Sequence, residues 1–569
     1  MYDKFEHILL NILQTPSKKR LMLWLTLGGF ILSVAMIPTK LVMAKMLPGK
    51  NNDTYSVYID LPSGSSIEQT KHVSECVTTI LQKEPEALDM EVFLGSGSPL
   101  DFAGLIKGSH FKNSENVSEI VLNLTKKHDR SEPSYLMVQR LRPVIQKKCE
   151  AIVPRTNIKF VEPPAGPPTM AAVVAEVYGN DAKGIRHLAG RIQDVFHKTS
   201  GLVDIDIMQD EIYDKFEVRV NSDKIARSGL DIKHVNDILY LAFEGMPIAV
   251  KNSSNVSEQI PIFLVLDPMG KKFTSKDLNG VLFKLSSLKL MNGMGMMVPI
   301  TEVVSVVSVK SNPMIVTKNL HQMTNVLAET DMVSQVYPLM EARDTILSTF
   351  SNEYEITKTG LFNLDLVDKK THERYQLLWD GEMEVTLDTF VELGGAFIAA
   401  LILIFLLMVV YYKSFTLSGI VLLGSFLSIV GVIVGHFIMN IFTADTFFLT
   451  ATSLIGFIAL IGISSRNSLL LIDFTKSLMI EKGMHKSEAL AYAAATRAKP
   501  IFLTAAAIIL ASTLLASDAV FGGLGVALIF GTIAAVVASL IVVPILLDNS
   551  DLERHFHFHE RKAVSATRP

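Results

Sequence analysis

The sequence predicts an α-helical membrane bundle of six spans, arranged one plus five, carrying a large α+β region outside the membrane. Three observations predict it. Six apolar runs approach or exceed the roughly 20 residues that cross a bilayer, and five of them follow one another after Glu392. A long, mostly polar stretch separates the first run from the second. Within that stretch one strand–helix–strand unit recurs. Composition agrees: 49% hydrophobic and 19% charged residues make the chain too apolar for an ordinary soluble enzyme and too charged for a protein lying wholly in the membrane. A formal net charge of −4 over 569 residues gives no reason to expect a nucleic-acid partner.

Residues 1–20 open the chain. Tyr2, Phe5, Ile8, Leu9, Ile12 and Leu13 recur at helical spacing until Pro16, which predicts a short amphipathic helix on the inner membrane surface. Residues 21–42 form the first span. Its core, Leu21–Thr39, follows Lys18-Lys19-Arg20, exceeds the apolar region of a cleaved signal and has no cleavage pattern after it, so it reads as a signal anchor. The later spans, within 387–547, are Leu393–Tyr412, Phe415–Met439, Phe447–Ile472, Ile501–Ser517 and Val520–Leu547, followed by a tail over 548–569.

Between the first span and the other five, "YSVYIDLPSGSS" sets Val57, Ile59 and Leu61 on one strand face. A helix over roughly 67–83 and the strand "MEVFLG" complete a unit. "EIVLNL", a helix near 134–150 and "NIKFVE" make the second unit. "VVAEVYG", a helix near 182–198 and "VDIDIM" make the third; "MTNVLAE", a helix near 331–350 and "YEITKTG" make the fourth. Paired units predict split-βαβ, ferredoxin-like sandwiches. One is complete over 54–168. The other is divided into 169–209 and 319–386 by an insert at 210–318, and the Pro-rich "EPPAGPPT" (162–169) connects the two. Cys76 and Cys149 are too few for a disulfide framework and are expected to be buried free thiols.

Several stretches resemble the second half of a resistance-nodulation-division (RND) transporter of the hydrophobe/amphiphile efflux branch. They are "LPGKNNDTYSVYIDLPSGSS", "EPPAGPPTMAAVVAEVYG", "WDGEMEVTLDTF", "GISSRNSLLLIDF", "RAKPIFLT" and "FGGLGVALIFGTIAAVVASLIVVPILL", in the family's order and spacing. The resemblance implies a trimeric, proton-driven pump of the bacterial inner membrane, exporting hydrophobic and amphiphilic compounds by drug:proton antiport. The two sandwiches would be periplasmic porter subdomains and the insert a docking domain. Implied partners are an N-terminal RND half, a periplasmic adaptor protein and an outer-membrane channel, besides membrane lipid. No catalytic constellation, cofactor or resident metal is expected, and the chain reads as a transporter rather than an enzyme.

The residue that most needs explaining is Arg466. About twenty uncharged residues precede it and six follow it before Asp473. Insertion scales put an arginine near the middle of a spanning helix at about +2.5 to +3.5 kcal/mol. Arginine does not deprotonate in proteins, so it cannot carry a translocated proton, but it can depress the pKa of a nearby carboxylate as a fixed counter-charge. The resemblance implies that this counter-charge faces an aspartate pair on the first half, and that Arg497 and Thr504 occupy two further relay positions. Gly462 and Ala459, with Thr504, Ala507 and Ala511 on the next helix, form small-residue stripes of the kind that let helices approach closely. The competing reading is snorkelling, since six residues at 1.5 Å rise put the inner end about 9 Å away.

Asp473 reads as an interfacial residue that could tune the relay. His436 reads as a histidine bonded to a neighbouring helix, with a relay role as the alternative. "LMNGMGMMVP" (290–299) suggests either a thioether site for soft metals or a hairpin turn, and the hairpin is preferred. His555, His557 and His559 read as a solvated tail rather than a chelate. Three other functions stay open: copper or silver efflux, a non-transporting sensor or assembly factor on the same bundle, and a fragment inactive without its N-terminal half. No Asp or Glu lies mid-membrane in spans two to six to pair with Arg466.

Orientation follows from the short loops. Lys4, Lys18, Lys19 and Arg20, then Lys413, then Lys476, Lys482, Lys486, Arg497 and Lys499, then Arg554, Arg561 and Lys562 all fall on one side, and only Asp445 and Asp518 on the other. By the positive-inside rule both termini and the 473–499 loop are cytoplasmic, and Thr54–Thr386 is outside. Cysteines introduced into that loop should react with thiol reagents only from the cytoplasmic face. Labelling of the loop from the outer face would contradict this topology.

Overall fold

The computed structural model describes residues 2–46, 51–99, 102–109, 112–127, 129–163, 166, 169–256, 259–264, 278–331, 333–443, 447–518 and 520–552. Asp445, the tail charges and the tail histidines lie outside the described residues, as does part of the Pro-rich connector. The chain divides into two compact units, Asp210–Met314 and the remainder.

The first sandwich holds β1 (Thr54–Asp60), β2 (Ala87–Ser96), β3 (Asn113–Leu124) and β4 (Asn157–Val161) in one antiparallel sheet of order β2-β3-β1-β4. Helices Ile67–Leu81 and Ser134–Cys149 cover one face. Alternation buries Val57, Ile59, Ile120 and Leu122 against Val73, Val77, Leu141 and Ile145 of those helices. Ser66 and Gln69 form a reciprocal capping box at the start of the first helix, a motif worth about 1 kcal/mol.

The two cysteines are not free thiols. Both helices pack on the same face of the sheet, which brings the Cα atoms of Cys76 and Cys149 to 5.8 Å, and the sulfurs are bonded. A separation of 73 residues hides this proximity from a reading of the sequence alone. A bridge fits an oxidising compartment, where disulfides form and persist.

The second sandwich is larger than the repeat predicts. Its seven-stranded sheet runs β13 (Val316–Lys318), β14 (His321–Thr330), β5 (Val173–Gly179), β17 (Arg374–Asp380), β16 (Asn363–Asp368), β15 (Tyr354–Thr359), with β6 (Leu202–Ile207) also paired to β14. "YEITKTG" does not close the unit beside β5. It turns back through β16 to β17, and β17 takes the place next to β5. Helices Ala182–Lys198 and Val336–Phe350 seal the core through Leu188, Ile192, Leu339 and Ile346.

The Asp210–Met314 unit pairs β7 (Asp214–Val220) with β12 (Val304–Lys310), β8 (Met246–Lys251) with β9 (Ile260–Leu264), and β10 (Lys289–Met291) with β11 (Met297–Pro299). The methionine-rich stretch is the β10–β11 hairpin, with Met291 opposite Met297. Its turn is fixed by Asn292, a buried residue whose side-chain carbonyl accepts from the Met294 and Met296 N–H groups.

Among the described residues, five helices are long and apolar enough to cross a membrane: Glu382–Tyr412, Phe415–Phe442 (broken at Leu427), Ala451–Glu481, Lys486–Ala516 and Gly522–Asp548. The first expected span falls on Pro16–Ala35, whose opening turn carries Lys18, Lys19 and Arg20, so its apolar helical part is shorter than the sequence suggests. The N-terminal amphipathic helix, Tyr2–Gln14, buries Leu9 and Leu13 among Leu478, Leu490 and Leu547. It therefore packs on one end of the bundle as well as presenting an outer side, where Ile8 is exposed. Lys19 pairs with Asp548 at 2.7 Å.

Inside the bundle, helices meet at glycines. A Cβ on Gly431 would come within 2.3 Å of the Phe530 carbonyl oxygen, and one on Gly456 within 2.6 Å of Ala527 Cβ. A third glycine joins sheet to membrane. Gly381 (φ +87°) lies between β17 and the Glu382–Tyr412 helix, where any Cβ would meet the Ala171 carbonyl oxygen at 2.6 Å. The following N–H groups of Glu382 and Met383 donate to the carbonyls of Ala171 and Ala172.

Candidate functional site

The Ala451–Glu481 helix has two unlike faces. Ser453, Gly456, Leu460, Ser464, Ser468, Leu471 and Thr475 are buried within the bundle. Ile455, Ala459, Gly462, Arg466 and Leu470 are exposed along the other face. A Cβ on Gly462 would meet nothing within 4 Å, unlike those on Gly431 and Gly456. The stripe of small residues around Arg466 thus leaves room that this chain does not fill. On the neighbouring Lys486–Ala516 helix, Thr504, Ala507 and Ala511 are also exposed, while Ala505 and Ser512 face inward.

Arg466 has no hydrogen-bond or ion-pair partner among the described residues. Asp473, seven residues on, does not supply one. It accepts a hydrogen bond from the Tyr411 hydroxyl on the Glu382–Tyr412 helix at 3.0 Å. Arg497 stacks its guanidinium over the Phe474 ring at 5.0 Å, and its Nε has no partner. Thr504 turns its hydroxyl back to the Ile501 carbonyl at 3.0 Å.

Spacing orders these groups in depth. Arg466 and Asp473 are seven residues apart on one helix, Thr504 and Arg497 seven apart on its antiparallel neighbour, and each step is about 10 Å of rise. Arg497 over Phe474 puts Asp473 and Arg497 at one level, with Arg466 and Thr504 about 10 Å further along the two helices. The sequence-predicted residues therefore share two adjacent helices, but the fold draws them into no common hydrogen-bonded cluster.

His436 is fully buried. One ring nitrogen bonds the Val432 carbonyl at 2.8 Å and the other the Ser453 hydroxyl of the next helix at 2.9 Å, with the Phe447 ring alongside. Both nitrogens are used structurally. Sequence reasoning missed Tyr411 as the partner of Asp473; a tyrosine pair at the end of an apolar run is the one signal that pointed there. Among the described residues no group of three or more His, Cys, Asp or Glu side chains could hold a metal.

Fold and face together define a multi-pass membrane protein whose bundle presents a charged, small-residue face with no partner for Arg466 among the described residues. The comparisons with known proteins agree. A family model described as the AcrB/AcrD/AcrF family matches residues 1–548, and the chain belongs to this family of RND efflux transporters. The chain is similar to the swarming motility protein SwrC of Bacillus subtilis, 22% identical over 91% of this chain and 44% of SwrC. It is also similar to the cobalt-zinc-cadmium resistance protein CzcA of Cupriavidus metallidurans, 21% identical over 88% of this chain and 44% of CzcA. The multidrug export protein AcrF of Escherichia coli matches a shorter stretch, 30% identical over 25% of this chain. A crystal structure of a heavy metal efflux pump shares the fold with a TM-score of 0.71 at 17% identity, covering 96% of this chain and 52% of the pump. The chain thus spans about half the length of these longer matches.

Proposed function

We propose that this chain is the C-terminal half of a proton-driven RND efflux pump, active only when a first half packs against the Arg466 face. The observation that carries the proposal is an always-charged guanidinium among apolar residues, exposed on the bundle surface with no anion beside it among the described residues. A buried cation is tolerable when a carboxylate pairs with it, and removing either member then leaves the other stranded. A carboxylate pair on the missing half would be held ionised by Arg466. Its protonation would weaken the pair and let the helices shift, which couples proton entry to movement. Gly462, Ala459, Thr504, Ala507 and Ala511 supply the close approach, and Arg497 and Asp473 lie toward the cytoplasmic exit.

In this reading the two sandwiches are ferredoxin-like porter subdomains in the periplasm and residues 210–318 are the docking domain. Residues 21–42 supply the sixth span, and both termini face the cytoplasm of a bacterial inner membrane. The complete pump is a trimer working with a periplasmic adaptor and an outer-membrane channel, and it moves its cargo without bond chemistry. A sensor or an assembly factor would have no use for an unpaired cation on a small-residue face.

The proposed cargo is organic and amphiphilic. A second reading, soft-metal export, is favoured by the likeness to the cobalt-zinc-cadmium resistance protein CzcA and to the heavy metal efflux pump, and by the four exposed methionines 291, 294, 296 and 297. With the first half co-expressed, Arg466→Ala should abolish export of organic compounds while assembly is largely retained. Arg466→Lys should keep partial export, since an ammonium pairs with carboxylates but lacks the planar fork. Normal export by Arg466→Ala would show that the side chain merely snorkels. Replacing the four methionines by leucine should leave organic export and copper or silver tolerance alike unchanged. A selective loss of metal tolerance would transfer the cargo to the second reading.

A further inference from the structure

The β10–β11 hairpin carries four of the chain's 24 methionines within ten residues, 290–299. Strand alternation sorts its side chains. Leu290 and Val298, opposite each other, pack against the core of their unit. Met291 and Met297, the next opposed pair, point away from that core. With Met294 and Met296 of the turn they are 56–74% exposed. The turn does not rest on these side chains either. Asn292 accepts the Met294 and Met296 N–H groups through its side-chain carbonyl and donates from its amide to the Ser228 carbonyl at 3.0 Å, while Gly295 takes φ +81°. The backbone is thus fixed while the four thioethers stay free.

Other methionines are placed differently. Met137 and Met383 are fully buried, and the sulfurs of Met170 and Met208 each accept from the Asn325 side-chain amide, at 3.6 and 3.7 Å. What methionine offers over leucine at an outward position is a sulfur lone pair. Two-electron oxidants add one oxygen to it, and a thiol-dependent reductase removes that oxygen again. No thiol of this chain competes for the oxidant, because Cys76 and Cys149 are bonded to each other. Their bridge also fits an oxidising compartment. Opposed residues of a ladder hold their Cβ atoms about 5 Å apart. The Met297 sulfur can therefore lend electron density to positive charge forming on the Met291 sulfur, and the reverse.

We propose that the β10–β11 hairpin is a reversible methionine-oxidation site, where hypochlorous acid turns an apolar tip polar without unfolding it. The sulfur lone pair takes the chlorine, the S–Cl bond breaks as water adds, and the products are sulfoxide, chloride and a proton. Sulfur loses two electrons and chlorine gains them. In the reverse step two thiols of a reductase become a disulfide and the oxygen leaves as water. The test gives the full chain in lipid nanodiscs less hypochlorous acid than it has methionines, then maps the oxygen by peptide mass spectrometry. Met291 and Met297 should react at least about threefold faster than Met314, which is 65% exposed but lies outside the strands, and about tenfold faster than Met137 and Met383. Met291→Leu should slow Met297 to the rate of Met314. Hydrogen exchange at the Met294 and Met296 amides should rise less than about threefold on oxidation, whereas Asn292→Ala should raise it about tenfold or more. Methionine sulfoxide reductase supplied with a dithiol should restore the original mass. The comparison with Met314 needs no substitution, so the site can be judged even if a variant misfolds. Met314 reacting as fast as the hairpin pair, or Met297 indifferent to Met291→Leu, would overturn the proposal. So would exchange that rises on oxidation to the level of Asn292→Ala, or sulfoxides that the reductase leaves in place.

Discussion

The guanidinium of Arg466 is the constraint around which the membrane half is arranged. It cannot shed its proton and it lies among apolar residues, so it must be answered by an anion, by water or by the membrane surface. The helix that carries it gives its other face to the bundle, where serines and leucines are buried and Gly456 lets Ala527 approach. Its Arg466 face is left open and lined with small residues. Asp473, the one acid nearby in sequence, is taken by Tyr411. A charge with no partner among the described residues and an open packing face coincide on one side of this helix.

A continuous stretch of chain links the bundle to the second sandwich. The Glu382–Tyr412 helix carries Tyr411 at one end, and its other end continues through Gly381 directly into β17 of the second sandwich. Backbone bonds to Ala171 and Ala172, and the Gln335–Thr386 side-chain bond at 2.7 Å, make that junction stiff. The first sandwich is joined differently, by charged side chains across two edge strands. The pairs are Lys107–Glu329, Lys159–Asp206 and Arg142–Asp204.

Much of this was legible in the sequence. Period-two alternation at Val57, Ile59 and Leu61, and the recurring strand–helix–strand unit, located most elements of both sandwiches. The five long apolar runs and the exceptional character of Arg466 needed only hydropathy and charge. What escaped was relational. The Cys76–Cys149 bridge depends on two helices sharing a sheet face across 73 residues. The place of β17 beside β5 depends on a β15–β16–β17 meander that continues past the repeat, where the sequence pattern had seemed complete at "YEITKTG". Nothing in the sequence connects Lys159 with Asp206 or Arg142 with Asp204; only the meeting of two sheet edges makes them partners.

The most direct test of the central claim is proton movement in sealed vesicles, with this chain reconstituted first alone and then together with a first half that carries an aspartate pair in an apolar span. The chain alone is predicted to conduct no substrate-coupled protons. The pair is predicted to do so, and to stop when Arg466 is replaced by alanine. Substrate-coupled proton flux from this chain by itself, or flux from the pair that survives the replacement, would contradict the account.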